Sequence, residues 1–141
     1  MRIYRVTTLS AELSEALARL LPQLSSSASM PTDKYLEQML QNDNTHLFAA
    51  EHEGTIVGML TLVIVDIPTG RKAWIEDVVV DDQARGLGIG KALVKRAIAC
   101  AKEVGSRKLY LTSNPSRKAA HALYAKCGFE EYNTTVFRVK S

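Results

Sequence analysis

The sequence predicts an α/β (α+β) domain that takes up residues 1–141 as one unit, with elements in the order β-α-α-β-β-β-α-β-α-β-β. Three observations carry that expectation. A β-branched strand ending in Val78-Val79-Val80 runs into the glycine-rich turn Arg85-Gly86-Leu87-Gly88-Ile89-Gly90-Lys91, which opens an amphipathic helix. Two apolar runs flank Glu53-Gly54, the pattern of an antiparallel hairpin. The remaining segments alternate between the 3.6-residue period of helices and the two-residue period of strands. A chain of 141 residues lies near the commonest domain size and can bury one substantial core.

Residues 2–7 alternate polar and apolar and read as a first strand rather than a secretory leader. Leu9, Leu13, Leu17, Leu20 and Leu21 then share one helical face, and Pro22 is expected to close that helix. Residues 23–29 are rich in serine and read as a loop. Pro31 suits the first turn of a short second helix, whose buried edge would be Tyr35, Met39 and Leu40. Residues 46–51 and 56–65 form the hairpin arms, and residues 68–72 the next loop. The strand 74–80 leads through the glycine turn to a helix over 88–104, with Ile89, Leu93, Ala97, Cys100 and Val104 as its apolar stripe. Gly105 stands where helices commonly end in a left-handed residue. A strand over 108–113, a helix over 116–126 and a final strand pair over 129–139 complete the chain.

With 46% hydrophobic and 23% charged residues, the composition is that of an ordinary globular protein and excludes disordered and fibrous classes. No apolar run reaches the roughly 18 residues a membrane span needs, so the expected location is the cytoplasm, with no membrane partner. The net charge of +3 is modest and its lysines are dispersed, which gives no reason to expect a nucleic acid. Cys100 and Cys127 fall on predicted helices with no His or Cys at metal-ligand spacing; buried, reduced thiols are expected, with no metal and no disulfide. His46, His52 and His121 lack a serine or cysteine nucleophile in a motif setting, which disfavours an acyl-enzyme route.

The glycine turn carries the chemistry. Gly86, Gly88 and Gly90 let the backbone adopt positive φ and come close to a ligand. The first amides of the following helix lack internal partners and sit at the positive end of its dipole, so they favour phosphate oxygens. Arg85 and Lys91 add full charges. A P-loop would need Ser or Thr after the lysine, whereas Lys91 is followed by Ala92. A dinucleotide fold would need G-x-G-x-x-G and an acidic residue closing the next strand, and neither is present.

The pattern that remains, Arg85-x-x-Gly88-x-Gly90, resembles the acetyl-coenzyme A signature of the GNAT superfamily of N-acetyltransferases. Leu123-Tyr124-Ala125-Lys126-Cys127-Gly128-Phe129 is similar to its second signature, a tyrosine near a helix end followed by Gly-Phe. The likeness extends over nearly the whole chain and is weakest in the first forty residues or so. It implies a mixed, mostly antiparallel central sheet with helices on both faces. It also implies acetyl-CoA as cosubstrate, with the pyrophosphate on Arg85, Gly86, Leu87, Gly88, Ile89, Gly90 and Lys91. The pantetheine arm would lie in a gap beside the cofactor strand and bond the backbone of Val78, Val79 and Val80. A valine run alone reads as a doubly buried core strand, and the two readings are compatible because backbone contacts leave the side chains free. Family members often carry an asparagine seven residues before the tyrosine. Here that position is Arg117, with Asn114 three residues upstream, so both are candidate coenzyme contacts. The blander alternatives are a cap from Asn114-Pro115-Ser116 and a solvated helix face.

Transfer to an ammonium acceptor needs a route for its proton and an acid for the departing thiolate. Glu76 and Asp77 stand consecutively on an otherwise apolar strand, so they are expected to point to opposite faces with at least one desolvated, which raises a carboxylate pKa toward the range of a base. Pairing with a cation of the sheet is the alternative for each. Ile75-Glu76-Asp77 resembles the acidic strand of the sugar-phosphate N-acetyltransferases, which implies Glu76 as base and Asp77 as an acceptor-binding group. The same resemblance places the Tyr124 hydroxyl near the coenzyme sulfur as general acid, against a plain role in core packing. Trp74 and Tyr35 are candidates for an acceptor pocket, again against core packing.

The function expected is an acetyl-CoA-dependent N-acetyltransferase acting on a small-molecule amine. The acceptor is left open among a hexosamine phosphate, an aminoglycoside, a polyamine and an amino acid. The alternatives are acetylation of a protein or peptide amine, and a coenzyme A-binding sensor without turnover. A homodimer is a common state in the superfamily.

Overall fold

The computed structural model describes residues 1–140. Five strands lie side by side in the order of the chain: β1 (Arg2–Val6), β2 (Thr45–His52), β3 (Thr55–Ile67), β4 (Gly70–Val80) and β5 (Lys108–Leu111). The first four are antiparallel neighbours and β5 runs parallel to β4, so the sheet is mixed and mostly antiparallel, as expected. Glu53 and Gly54 both take positive φ (52° and 79°), the backbone that a two-residue hairpin turn requires between β2 and β3.

Helices α1 (Ala11–Leu24) and α2 (Asp33–Gln41) cover one face, burying Leu13, Leu17, Leu20, Leu36 and Leu40 against Leu47, Ala49, Met59 and Val79. Helices α3 (Ile89–Glu103) and α4 (Lys118–Lys126) belong to the other face, where Ile89, Leu93, Val94 and Ala97 meet Phe48, Leu60, Leu62 and Ile75. The fit there is tight. A Cβ on Gly58 of β3 would stand 3.1 Å from the Ile89 side chain and 3.2 Å from that of Leu93.

Pro22 does not close the first helix. It lies inside α1, which continues to Leu24. Proline removes one backbone donor near the helix end, but the Ser25 amide still donates to the Leu21 carbonyl (3.0 Å), and side chains add to the last turn. Gln23 Nε2 donates to the Arg19 carbonyl (3.2 Å) and Gln23 Oε1 accepts from the Asp82 amide (2.8 Å). Pro31 likewise precedes its helix, because Thr32 is the N-cap of α2 and accepts from the Tyr35 amide at 3.1 Å. Tyr35 is 59% exposed, and the buried edge of α2 is Leu36 and Leu40.

The expected final strand pair is absent: residues 129–140 form no strand. Thr134-Thr135-Val136-Phe137 has the composition of a strand, but that preference expresses packing on a pleated surface. Here Val136, Phe137 and Val139 are exposed, and β5 pairs with β4 alone.

A candidate active site where two strands part

β4 changes character near its end. Its pairing with β3 is regular from Gly70 to Glu76, then slips, with Thr61 opposite Glu76 but Met59 opposite Val79. An extra residue in the strand is a β-bulge. Ile75 therefore packs with the α3 layer while Val79 packs with α1 and α2, although residues four apart on a regular strand share a face. Asp77 sits at the slip with φ of 51°, left-handed backbone that costs a non-glycine residue on the order of 1 kcal/mol.

The pairing of β4 with β5 stops just before the bulge. Its last register pair is Ile75 with Leu111, which leaves the β5-facing backbone of residues 76–80 without a strand partner. An opening of ≈ 200 Å³ occupies the parting, lined by Glu76, Asp77 and Val78 of β4, Leu111 and Thr112 after the last pair, and Arg117 and Tyr124 from the α4 side. Leu24, at the end of α1, lines it from the opposite layer. The opening thus joins the two faces of the sheet.

Glu76 and Asp77 share this opening, which corrects the expectation of opposite faces; the bulge between them is the reason. Both side chains are exposed, so neither is deeply buried. The Glu76 carboxyl is nevertheless pushed above its ordinary value, first by local desolvation and second by the neighbouring charge of Asp77. Neither carboxylate has a salt-bridge partner among the described residues.

Tyr124 is buried at 7% exposure, and burial raises its phenol pKa, with the Arg117 charge acting in the opposite sense. Its position is set by the chain that follows. Gly128 takes φ of 96°, which turns the chain back so that the Phe129 amide donates to the Tyr124 carbonyl (3.0 Å) and the Phe129 ring packs edge-on against Tyr124 at 6.1 Å. The Gly-Phe pair is a device for holding the tyrosine.

The glycine turn lies between a short 3₁₀ turn (Asp82–Ala84) and α3. Gly88 is the N-cap of α3 in left-handed backbone (φ 77°) and provides no side chain to the first amides of the helix. A Cβ at Gly86 or Gly88 would meet nothing within 4 Å, so the turn is open at both positions. These features fit an anionic group of the kind the turn predicts. Gly90 differs from expectation. It is helical without positive φ, and a Cβ there would stand 3.2 Å from Leu123; its smallness serves the packing of α3 on α4. Ile89 turns its side chain into the core (2% exposed), so only its backbone remains for the turn. Arg85 is held by Asp82 at 2.9 Å, with both groups exposed, and Lys91 is exposed on α3.

Asn114 accepts from the Ser116 amide at 3.0 Å and so orders the loop before α4, while the N-cap position belongs to Arg117 and has no side-chain bond. The expected cap from Asn114 or Ser116 is therefore not made. Arg117 lines the opening. Ser113 carries a buried hydroxyl with no hydrogen-bond partner, next in the chain to pocket-lining Thr112. The residues that the sequence did not single out are Leu24, Leu111, Thr112 and Ser113, none of which belongs to a motif. Cys100 is buried as expected, whereas Cys127 is only half-buried, and the fold brings His46 Nδ1 to 3.4 Å from the Cys100 sulfur, a pairing invisible in sequence. Of the two aromatic candidates for an acceptor pocket, Trp74 lines a cleft beside the opening and Tyr35 projects from α2.

The profile of the Acetyltransferase (GNAT) family matches residues 11–129, a span that holds both signatures and every residue lining the opening. The chain belongs to the GNAT acetyltransferase family. Among its relatives, Glucosamine 6-phosphate N-acetyltransferase 1 of Oryza sativa subsp. japonica is 33% identical over 141 residues, covering 92% of this chain and 83% of that protein. Probable glucosamine 6-phosphate N-acetyltransferase 2 of the same species is 47% identical over 62 residues, 44% of this chain; the match spans only 36% of that relative's length. The crystal structure of glucosamine-6-phosphate N-acetyltransferase from Arabidopsis thaliana superposes with a TM-score of 0.82, covering 100% of both chains at 24% identity, and shares the GNAT fold.

Proposed function

We propose that this protein transfers the acetyl group of acetyl-CoA to the primary amine of a small molecule, in the opening between β4 and β5. The observation that carries the reading is that one gap holds a carboxylate of raised pKa, a buried tyrosine and unpaired strand backbone, close to a helix N-terminus with no side-chain cap. Family membership supports acetyl-CoA as the donor, since the glycine turn resembles the acetyl-CoA signature of that family.

Each residue then has a task. The backbone of Val78 and Val80, which faces the β5 side while that of Val79 is turned to β3, hydrogen-bonds the extended arm of the donor as an added strand would. The amides after Gly88 receive the phosphates. Glu76, directly or through one water, takes the proton that the acceptor ammonium must lose before its nitrogen attacks the thioester carbonyl. The carbon–sulfur bond breaks and Tyr124 gives its proton to the departing thiolate, while the nitrogen loses its second proton to become the amide and that proton restores the phenol, directly or through water; burial keeps the phenol protonated beforehand. Asp77 helps hold the ammonium, and Arg117 and Asn114 are assigned to the coenzyme.

Release of free thiol from acetyl-CoA tests the reading, across amines that include glucosamine 6-phosphate, spermidine, an aminoglycoside and a short peptide. Turnover with one small amine, accompanied by its N-acetyl product, is the expected result. Acetyl-CoA binding without turnover on any amine would instead favour a coenzyme-binding module.

A further inference from the structure

Lys72 of β4 and Lys108 of β5 are register partners, side by side in the sheet. Like charges directly opposite destabilise a strand pair, and neither lysine has a salt-bridge partner among the described residues. Arg71 and Arg107 precede them, and all four cations line one cleft of ≈ 790 Å³ whose lining includes no carboxylate. Among the described residues Arg71 alone of the four has a carboxylate partner, Asp66 at 2.7 Å.

The same cleft has an aromatic floor. Trp74 and Tyr110, the next register pair on that face, lie 5.0 Å apart between ring centroids, and Tyr132 continues the row 5.5 Å from Tyr110. The Lys72 ammonium leans along the strand over these rings, 5.8 Å from Trp74 and 6.0 Å from Tyr110. Strand alternation is regular from Lys72 to Glu76, so Lys72, Trp74 and Glu76 stand on one face in sequence. The lysine backbone is about 13 Å from that of Glu76 at the ordinary strand rise, and its leaning side chain shortens the distance to a bridging ligand.

Resting on the acetyl-transfer reading above, we infer that the Lys72–Lys108 cleft binds the non-reacting end of the acceptor, and that the acceptor is a small amine carrying a phosphate or carboxylate on a ring or extended scaffold. Its anion relieves the repulsion between the two lysines, its body lies against Trp74 and Tyr110, and its amine reaches Glu76. The cations of the cleft select against polyamines and aminoglycosides, which bring further positive charge to the same wall.

Trp74 is the only tryptophan of the chain, so its fluorescence reports occupancy of the cleft without any turnover. The probes are glucosamine, glucosamine 6-phosphate, 2-amino-2-deoxygluconate and spermidine, which present an amine with neutral, phosphate, carboxylate and cationic companions. Saturable change with one or both anionic probes is expected, at least about tenfold tighter than with glucosamine or spermidine, and the better anion identifies phosphate or carboxylate as the group read. Lys72→Ala and Lys108→Ala should each erase most of that preference while melting at or slightly above the wild-type temperature, because each relieves the repulsion and Lys108 is exposed and Lys72 half-exposed. Equal response to the neutral and anionic probes, preference for spermidine, or anion selectivity untouched by both substitutions would overturn the inference. Thiol release measured in parallel separates the two claims. Charge-selective fluorescence without turnover overturns acetyl transfer alone, and turnover without charge preference overturns the cleft alone.

Discussion

β3 and β4 share nine register pairs, while β4 and β5 share four and then diverge. The first interface is closed by antiparallel pairing along most of its length and backed by cores on both faces; the second is parallel, short and open where the carboxylates and the tyrosine gather. The contrast shows that the site is made by withdrawing structure, since β4 gives up a partner and gains a bulge at Asp77. Substitutions that act on the open interface should alter chemistry at little cost in stability, and those on the closed frame should do the reverse.

The largest effect is expected from Tyr124→Phe, which removes the acid and keeps the ring against Phe129. We expect kcat to fall by about 10²-fold or more with acetyl-CoA affinity and melting temperature nearly unchanged; wild-type turnover would reduce Tyr124 to packing. Glu76→Gln should lower kcat/KM by about 10²-fold. Its pH signature is more telling. The folded pKa of Glu76 lies above its ordinary 4.5, and the base must be ionised, so kcat/KM should fall as pH drops through that raised value and the variant should lose this acid limb. An unaltered limb in the variant would assign the base elsewhere.

On the closed side the expected change is in stability. Asp81, 8% exposed, accepts from the Gln83 amide (3.1 Å) and from Arg19 (2.7 Å), while Arg19 also donates to the Ile56 carbonyl (2.9 Å), tying α1 to the loop before the glycine turn. These bonds hold its carboxyl below the ordinary 3.8, the Gln83 amide contributing most, so its stabilisation is present above that value and disappears as pH falls through the folded pKa. Asp81→Asn should cost about 1–3 kcal/mol at pH 7, measured by denaturant unfolding, and the difference from wild type should shrink in acid. Gly88→Ala, forced into left-handed backbone, should cost about 1–2 kcal/mol and weaken acetyl-CoA binding together. Arg85→Ala should be the mildest, with stability within about 0.5 kcal/mol of wild type because its partner Asp82 is equally exposed, and with a few-fold weaker acetyl-CoA binding by calorimetry.

The closed frame was legible in the sequence because its signals are periodic: the leucine stripe of α1, the Glu53-Gly54 turn and the α3 face each lie where the pattern puts them. Glu76, Asp77, Arg117 and Tyr124 were candidates from motifs rather than from period, and that the fold gathers all four at one opening was not legible. The failures have a common origin in tertiary context. Pro22 stays within α1, whose last turn is closed by the Ser25 amide and tied by Gln23 to Asp82 across the fold, and a strand composition over 134–139 makes no strand where nothing pairs with it. The bulge that gathers Glu76 and Asp77 is an offset between two strands, which no single strand's alternation reveals. Lys72 and Lys108 are 36 residues apart in sequence, and only the register of β4 on β5 makes them a pair.

The central claim, that the donor lies where β4 leaves β5, is tested most directly by residue-resolved amide hydrogen exchange with and without acetyl-CoA. The account predicts protection on binding at Val78 and Val80, whose amides face away from β3, and at the amides from Gly88 to Lys91, with Val79 and β1 to β3 unchanged. Binding that leaves those amides as they were, or protects a different part of the sheet, would contradict it.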